Sequence, residues 1–324
     1  MLEVKDLRVL LQTRRGPAEA VRGLSFELAR GETLGLIGES GCGKSLTALA
    51  LMGLLPENAQ VSGHIRFQGQ DLLALSDRQR STLRGNRMAM VFQEPMMALN
   101  PLHRIGAQVA EPLRLHRGWS AARAQAEAQR LLERVGLPDA RRRAQAYPHE
   151  LSGGQRQRVS IAMALACEPD LLIADEPTTA LDLTIQGQIL DLLAELVEER
   201  GMGLILISHD LGVIAENVRQ MLVMYGGSVV ERGPTEAVFA RLGHPYTQGL
   251  FAARPRLGMA RGARLQTIAG SVPELADLPS GCPFSARCRL ATPECWRTRP
   301  PALLMAQAGH EVSCLHLEEA LRGL

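Results

Sequence analysis

At 324 residues, 46% of them apolar and 22% charged, the chain has globular composition and enough length for two domains and a sizeable core. A net charge of +2 argues against nucleic acid as the main partner, because non-specific binding there draws on a concentrated basic surface. No run approaches the roughly 18 to 20 consecutive apolar residues of a membrane span, and the first residues carry neither a basic leader nor an apolar signal core. A cytosolic chain with only peripheral membrane contact is expected, and its six cysteines do not suggest a disulfide framework.

The first 30 residues alternate with a period of two (Leu7, Val9, Leu11, then Val21, Leu24, Phe26, Leu28), with Gly16-Pro17 marking a turn between the runs. This predicts an antiparallel β layer. The apolar run Thr33-Leu34-Gly35-Leu36-Ile37 then enters Gly38-Glu39-Ser40-Gly41-Cys42-Gly43-Lys44-Ser45, which fits G-x-x-x-x-G-K-[ST], and a helix is predicted over 46–55. A strand running into a glycine-rich turn and a helix points successive backbone N–H groups at one spot. Lys44 and the positive helix end add charge there, and the Ser45 hydroxyl can ligate Mg²⁺. The segment 38–46, ending on Leu46, therefore reads as a binding loop for a nucleoside triphosphate.

One more strand of the β layer is predicted over 61–67 and a short helix over 72–83. Met88-Ala89-Met90-Val91-Phe92 reads as a buried strand that ends in the loop Gln93-Glu94-Pro95. From there to Tyr147 the pattern is helical, over 105–115 in spite of Pro112 and over 120–135 with Ser120 as N-cap and Gly136 as a stop. Such an insertion offers a partner-contact surface, and Arg141-Arg142-Arg143 within it reads as a solvated patch. Leu151-Ser152-Gly153-Gly154-Gln155 opens a helix to 165. Asp170-Leu171-Leu172-Ile173-Ala174 is an apolar run of parallel-sheet type, halted by Asp175-Glu176-Pro177. A helix over 184–200 leads to the strand Gly203-Leu204-Ile205-Leu206-Ile207 and its polar end Ser208-His209-Asp210. Strands alternating with helices argue a parallel sheet, which gathers those polar ends beside the phosphate loop at one carboxyl edge. A hairpin is expected over 220–231, turning at Gly226-Gly227, and the composition shifts near 235–255.

At that edge Asp175 suits Mg²⁺ held through water opposite Ser45, and Glu176 is placed to polarise an attacking water. Gln93 could reach both Mg²⁺ and that water, and His209 the γ-phosphate. Cys42 reads as a small residue filling a tight turn, and Cys167 as a buried apolar one. Cys282, Cys288, Cys295 and Cys314 crowd the end of the chain with the spacing C-x5-C-x6-C-x18-C. Four thiolates can hold Zn²⁺ or an iron–sulfur cluster, and a set of buried, unligated thiols is the third possibility.

The ordered set 38–45, Gln93, 151–155, 171–176, Ala180-Leu181-Asp182 and His209 resembles the Walker A, Q-loop, signature, Walker B, D-loop and H-switch of ABC-transporter ATPase subunits. The resemblance covers roughly residues 2 to 250, and Leu-Ser-Gly-Gly-Gln is its discriminating element. It implies an α/β fold with a mixed core sheet, an antiparallel β subdomain and a helical signature subdomain at about 95–165. It also implies head-to-tail pairing of two ATPase subunits, a self copy or a paralogue. Ser152, Gly153, Gly154 and Gln155, with Asp182, would then meet the ATP of the facing subunit. The aromatic that stacks on adenine in that family falls here near Leu10 or Leu11, where an apolar contact would replace it.

The tail, with His244-Pro245-Tyr246-Thr247, the four cysteines and His310-Glu311-Val312-Ser313-Cys314, resembles the C-terminal extension of oligopeptide/dipeptide and nickel importer ATPases. That resemblance implies a [4Fe–4S] cluster, with Zn²⁺ as the alternative and His310 and His316 as bystanders. The expected organisation is an ATPase domain over 1–240 and a small extension over 241–324. Two membrane permease subunits, an extracytoplasmic solute-binding protein reached through them, and a place at the cytoplasmic face of the inner membrane complete the expectation. Peptide is the expected solute, ahead of nickel or another small solute. A soluble ABC ATPase acting on ribosomes or nucleic acid is the rival, opposed by a single motif set and no sustained heptads.

Overall fold

A computed structural model describes residues 1–94, 98–178, 181, 183–253 and 267–322. Among these residues twelve strands form two sheets. β1 (Leu2–Thr13), β2 (Gly16–Leu28), β4 (Ala59–Phe67) and β5 (Gln70–Asp71) make an antiparallel layer in the order β2-β1-β4-β5. The second sheet, joined at one edge by β10 (Ser228–Pro234), β11 (Leu303–Leu304) and β12 (Glu311–Val312), runs β11-β12-β10-β9-β3-β8-β7-β6. Its parallel heart comprises β3 (Thr33–Ile37), β6 (Met88–Val91), β7 (Leu171–Asp175), β8 (Gly203–Ser208) and β9 (Gln220–Tyr225).

Alternation along these strands divides the core. Leu34, Leu36, Leu171, Ile173, Ile205 and Ile207 pack toward the β layer and the helix Lys44–Met52. Ile37, Leu172, Ala174, Leu204 and Leu206 pack toward the helices on the opposite face. A strand buried on both sides has no polar face to show, which is why these segments read as continuous apolar runs.

The helical insertion comprises Ile105–Arg117, Ala121–Arg134 and Gly153–Leu165, with a short turn Ala140–Arg143 between the last two. The first helix runs through Pro112, a cost of about 3 kcal/mol, while burying Ile105, Val109 and Leu113, each worth about 1.5–3 kcal/mol. Two helices start later than the apolar pattern suggests because side chains cap them. Ser76 and Gln79 form a reciprocal capping box before Asp77–Leu83, and Ser152 and Gln155 do so before Gly153–Leu165.

The end of the chain is stitched into the core sheet. After the expected hairpin, β10 (Ser228–Pro234) pairs with β9 on one side and with β12 (Glu311–Val312) on the other, and β11 (Leu303–Leu304) pairs with β12. Glu231, 1% exposed, accepts the backbone N–H groups of Gly243 at 2.7 Å and His244 at 2.9 Å and meets His310 Nε2 at 2.8 Å. His310 is thus engaged by a carboxylate.

His244 caps the helix Pro245–Ala252 by accepting the Tyr246 N–H on Nδ1. Burial pushes its pKa down to about 4, while the Glu231 charge pulls the other way. The native chain therefore keeps His244 neutral where the unfolded chain binds a proton. Its contribution is complete above about pH 6.5 and is lost as pH falls toward 4, on the order of 3 kcal/mol in all. His244→Asn keeps a cap acceptor without a titrating ring. Melting temperature plotted against pH between 7 and 4 is expected to fall less steeply in that variant; equal slopes would assign the acid sensitivity elsewhere.

Candidate functional site

The loop 38–45 is shaped by glycines with no room for a side chain. A Cβ on Gly38 would lie 2.2 Å from the Met224 carbonyl oxygen, and one on Gly43, at φ +99°, would lie 2.5 Å from that of Ala20. Gly43 leaves the start of Lys44–Met52 without a side-chain cap, so its first N–H groups stay open to an anion. Lys44 is 6% exposed, and its Nζ donates to the Gly38 carbonyl at 2.7 Å and the Glu39 carbonyl at 3.1 Å. Burial pushes the Cys42 thiol pKa up, in keeping with a residue that fills the turn.

Asp175, at the end of β7, is 4% exposed, and one carboxylate oxygen is buried without a hydrogen-bond partner. Burial raises its pKa, against a lowering by the Ser45 hydroxyl that bonds it. An orphaned carboxylate oxygen beside a hydroxyl is a donor set for a hard cation, and it fits Mg²⁺. Glu176 follows in the left-handed region at φ 47°, which turns its side chain across the strand ends. Its Oε2 accepts from Gln93 Nε2 at 3.2 Å and lies 3.2 Å from His209 Nδ1. Three strand ends therefore deliver Gln93, Glu176 and His209 to one point, the convergence expected of parallel strands in register.

Residues 152–155 form a separate element. Ser152 and Gln155 bond one another and Gln155 bonds Arg143 at 3.1 Å, while Gly153 stays exposed at the helix start. Asp182 lies outside the described residues. Around Glu39 two further residues gather to which the motifs assign no role. Tyr246 accepts its backbone N–H at 2.8 Å, and Arg287 pairs with its carboxylate at 2.6 Å.

Cys282, Cys295 and Cys314 are buried and Cys288 is partly so. Burial pushes the Cys282 thiol up to about 12, with the other three cysteines adding to the rise, and Cys314 up to about 11, with Cys288, Cys295 and Glu231 adding to it. The four thiols thus converge. Among the described residues, however, no group of three or more His, Cys, Asp or Glu side chains stands in a geometry that could hold a metal ion.

Residues 21–179 match the family model described as ABC transporter, and 230–295 match that of the oligopeptide/dipeptide transporter C-terminal region. The oligopeptide transport ATP-binding protein OppD of Salmonella typhimurium is 52% identical over 301 residues, covering 93% of this chain and 89% of that one. A Brucella melitensis protein described as a peptide import ATP-binding protein is 50% identical over 331 residues, 98% of each chain. The chain belongs to the ABC-transporter ATP-binding family, in its oligopeptide/dipeptide branch.

Membership of this family makes the chain an ATP-hydrolysing transporter subunit, which implies ATP and Mg²⁺. The ATP-binding cassette MJ0796, solved as a dimer bound to ADP and Pi, superimposes with a TM-score of 0.66 at 28% identity, over 72% of this chain and 99% of that one. Among the described residues of this chain, no helix is long and apolar enough to cross a membrane.

Proposed function

We propose that this ABC subunit energises the import of peptides, di- or oligopeptides, as one of two ATPase subunits at the cytoplasmic face of the inner membrane. Residues 38–46 bind the triphosphate. Ser45 and Asp175, with Gln93, hold Mg²⁺, which when bound neutralises phosphate charge. Glu176 polarises the attacking water, and His209 contacts the γ-phosphate. Ser152, Gly153, Gly154 and Gln155, with Asp182, meet the facing subunit's ATP, and Leu10 or Leu11 borders adenine. ATP closes a head-to-tail dimer and hydrolysis resets it. The helical insertion and Gln93 carry that movement to two permease subunits, which receive solute from an extracytoplasmic binding protein.

The observation that carries the peptide reading is the tail. A chain with this cassette fold continues into residues resembling the oligopeptide/dipeptide C-terminal region, and its relatives of about 50% identity are described as serving peptide transport. We treat 1–240 and 241–324 as the two functional units. Uptake of labelled di- and pentapeptides in cells whose only copy carries Glu176→Gln tests it: peptide uptake is expected to be lost and nickel uptake kept. The reverse pattern would replace peptide by nickel. Copurification of the chain with apolar permeases is expected, whereas nuclease-sensitive association in their place would favour the nucleic-acid reading.

We also propose that Cys282, Cys288, Cys295 and Cys314 hold a [4Fe–4S] cluster, with Zn²⁺ as the alternative. The convergence of four thiols supports it, as do the Phe284 and His316 backbone groups that hydrogen-bond the Cys282 and Cys314 sulfurs. Visible absorption and iron and zinc content of anaerobically purified chain test it, and absence of both metals would leave four buried thiols.

A further inference from the structure

Glu39, second residue of the phosphate loop, is held at three places. Its carbonyl accepts from Lys44 Nζ at 3.1 Å, and its N–H donates to the Tyr246 hydroxyl at 2.8 Å. Its carboxylate takes both arms of Arg287, Nη1 to Oε2 at 2.6 Å and Nη2 to Oε1 at 3.2 Å. Two of the three holds come from beyond residue 240, more than 200 positions away in sequence.

Arg287 is itself fixed. Its side chain is 5% exposed, its Nε donates to the Ala269 carbonyl at 2.9 Å and its Nη2 to that of Ile268 at 3.3 Å, and Nη1 also reaches the Tyr225 hydroxyl at 3.3 Å. Beneath it Tyr225, Tyr246 and Phe284 pack edge to face or tilted, with ring centroids 4.7 to 5.3 Å apart. Phe284 and Arg287 both lie between Cys282 and Cys288, so the cysteine segment and the phosphate loop share one joint.

The chemistry of binding gives this joint a role. Lys44 must leave the loop carbonyls to reach a phosphate, and Glu39 then keeps the two holds from the tail beside the Cys42 N–H on its carbonyl at 3.3 Å, while the Gly227 N–H holds the Cys42 carbonyl at 3.1 Å. A planar guanidinium on a carboxylate fixes orientation as well as distance, and a loop fixed in advance pays less ordering entropy when ligand arrives.

We propose that Arg287 and Tyr246 are positioning residues of the ATP site, which set the shape of the phosphate loop through Glu39 and make ATP affinity depend on docking of the cysteine segment. This rests on the reading of 38–46 as the ATP loop. Arg287→Glu sets like charges together and is expected to raise the ATP KM about tenfold or more, with a smaller change in kcat. Combining it with Glu39→Arg is expected to bring KM back to within about threefold of wild type, because the pair is remade with its charges exchanged. Tyr246→Phe keeps the packing, loses one acceptor, and is expected to raise KM by about threefold to tenfold at unchanged melting temperature.

Turnover and titration with a fluorescent ATP analogue on the full chain read these effects. A wild-type KM in Arg287→Glu, or a double variant no better than the sum of its parts, overturns the proposal. Should Arg287→Glu fail to fold, Arg287→Lys and Tyr246→Phe decide it, since both keep the joint packed and a wild-type KM in both rejects the role. Lys44→Ala separates the two levels. If it too binds ATP normally the loop reading fails, and if it alone loses binding only the clamp does.

Discussion

A Glu176→Gln chain is expected to bind ATP as the wild type does and to hydrolyse it about 10²- to 10⁴-fold more slowly. Glutamine keeps the shape and the partner geometry of the side chain, which lies 3.2 Å from both Gln93 Nε2 and His209 Nδ1. It removes the proton-accepting oxygen from the point where the strand ends meet. Gln93 is an amide that cannot accept a proton at working pH, and Asp175 is turned toward Ser45, so neither can substitute. The substituted chain should then accumulate with ATP as a closed dimer, visible by size-exclusion chromatography with ATP and absent with ADP. Normal turnover would move the proton acceptor elsewhere.

Lys44→Ala is expected to fail one step earlier, with ATP affinity lowered by about 10²-fold. The Lys44 ammonium is buried and held by the carbonyls of Gly38 and Glu39, so a phosphate offers it a stronger acceptor than the free loop does. Its removal leaves two neutral carbonyl oxygens and the Cys42 sulfur behind, with no charged group stranded. A melting temperature within a few degrees of wild type is therefore expected beside the loss of binding. Equal affinity in the two chains would show that the amides of the helix start bind phosphate without it.

Much of this was legible in the sequence because the relevant patterns are local or periodic. The five parallel strands are apolar runs of four to six residues, and just past three of them, β6, β7 and β8, come the polar residues Gln93, Glu176 and His209 that meet at the site. The phosphate loop is contiguous, so its glycines and lysine declare themselves. Gln93, Glu176 and His209 are far apart in sequence, yet the parallel topology alone requires their meeting.

What escaped has no period to detect. Arg287 and Glu39 are separated by 248 residues, and their pairing follows from the route the tail takes over the Gly226-Gly227 turn, where Leu278 and Pro283 pack. A strand of two residues such as β12 has too few positions to alternate. Glu231 reads as an ordinary hairpin carboxylate until its partners from 243, 244 and 310 are in place. The displaced helix starts show the same limit, since a serine that fits an apolar-periodic frame can serve as the cap instead.

The pairing of β10 with β12 also bears on how the chain is made. The cassette strands can assemble as they emerge from the ribosome, but the outer edge of β10 stays an open row of N–H and C=O groups until residue 312 arrives, some 80 positions later. Until then the Glu231 carboxylate lacks its imidazole and the sheet has an unguarded side. The arrival of residues 303–312 is therefore what closes this edge against pairing between nascent molecules.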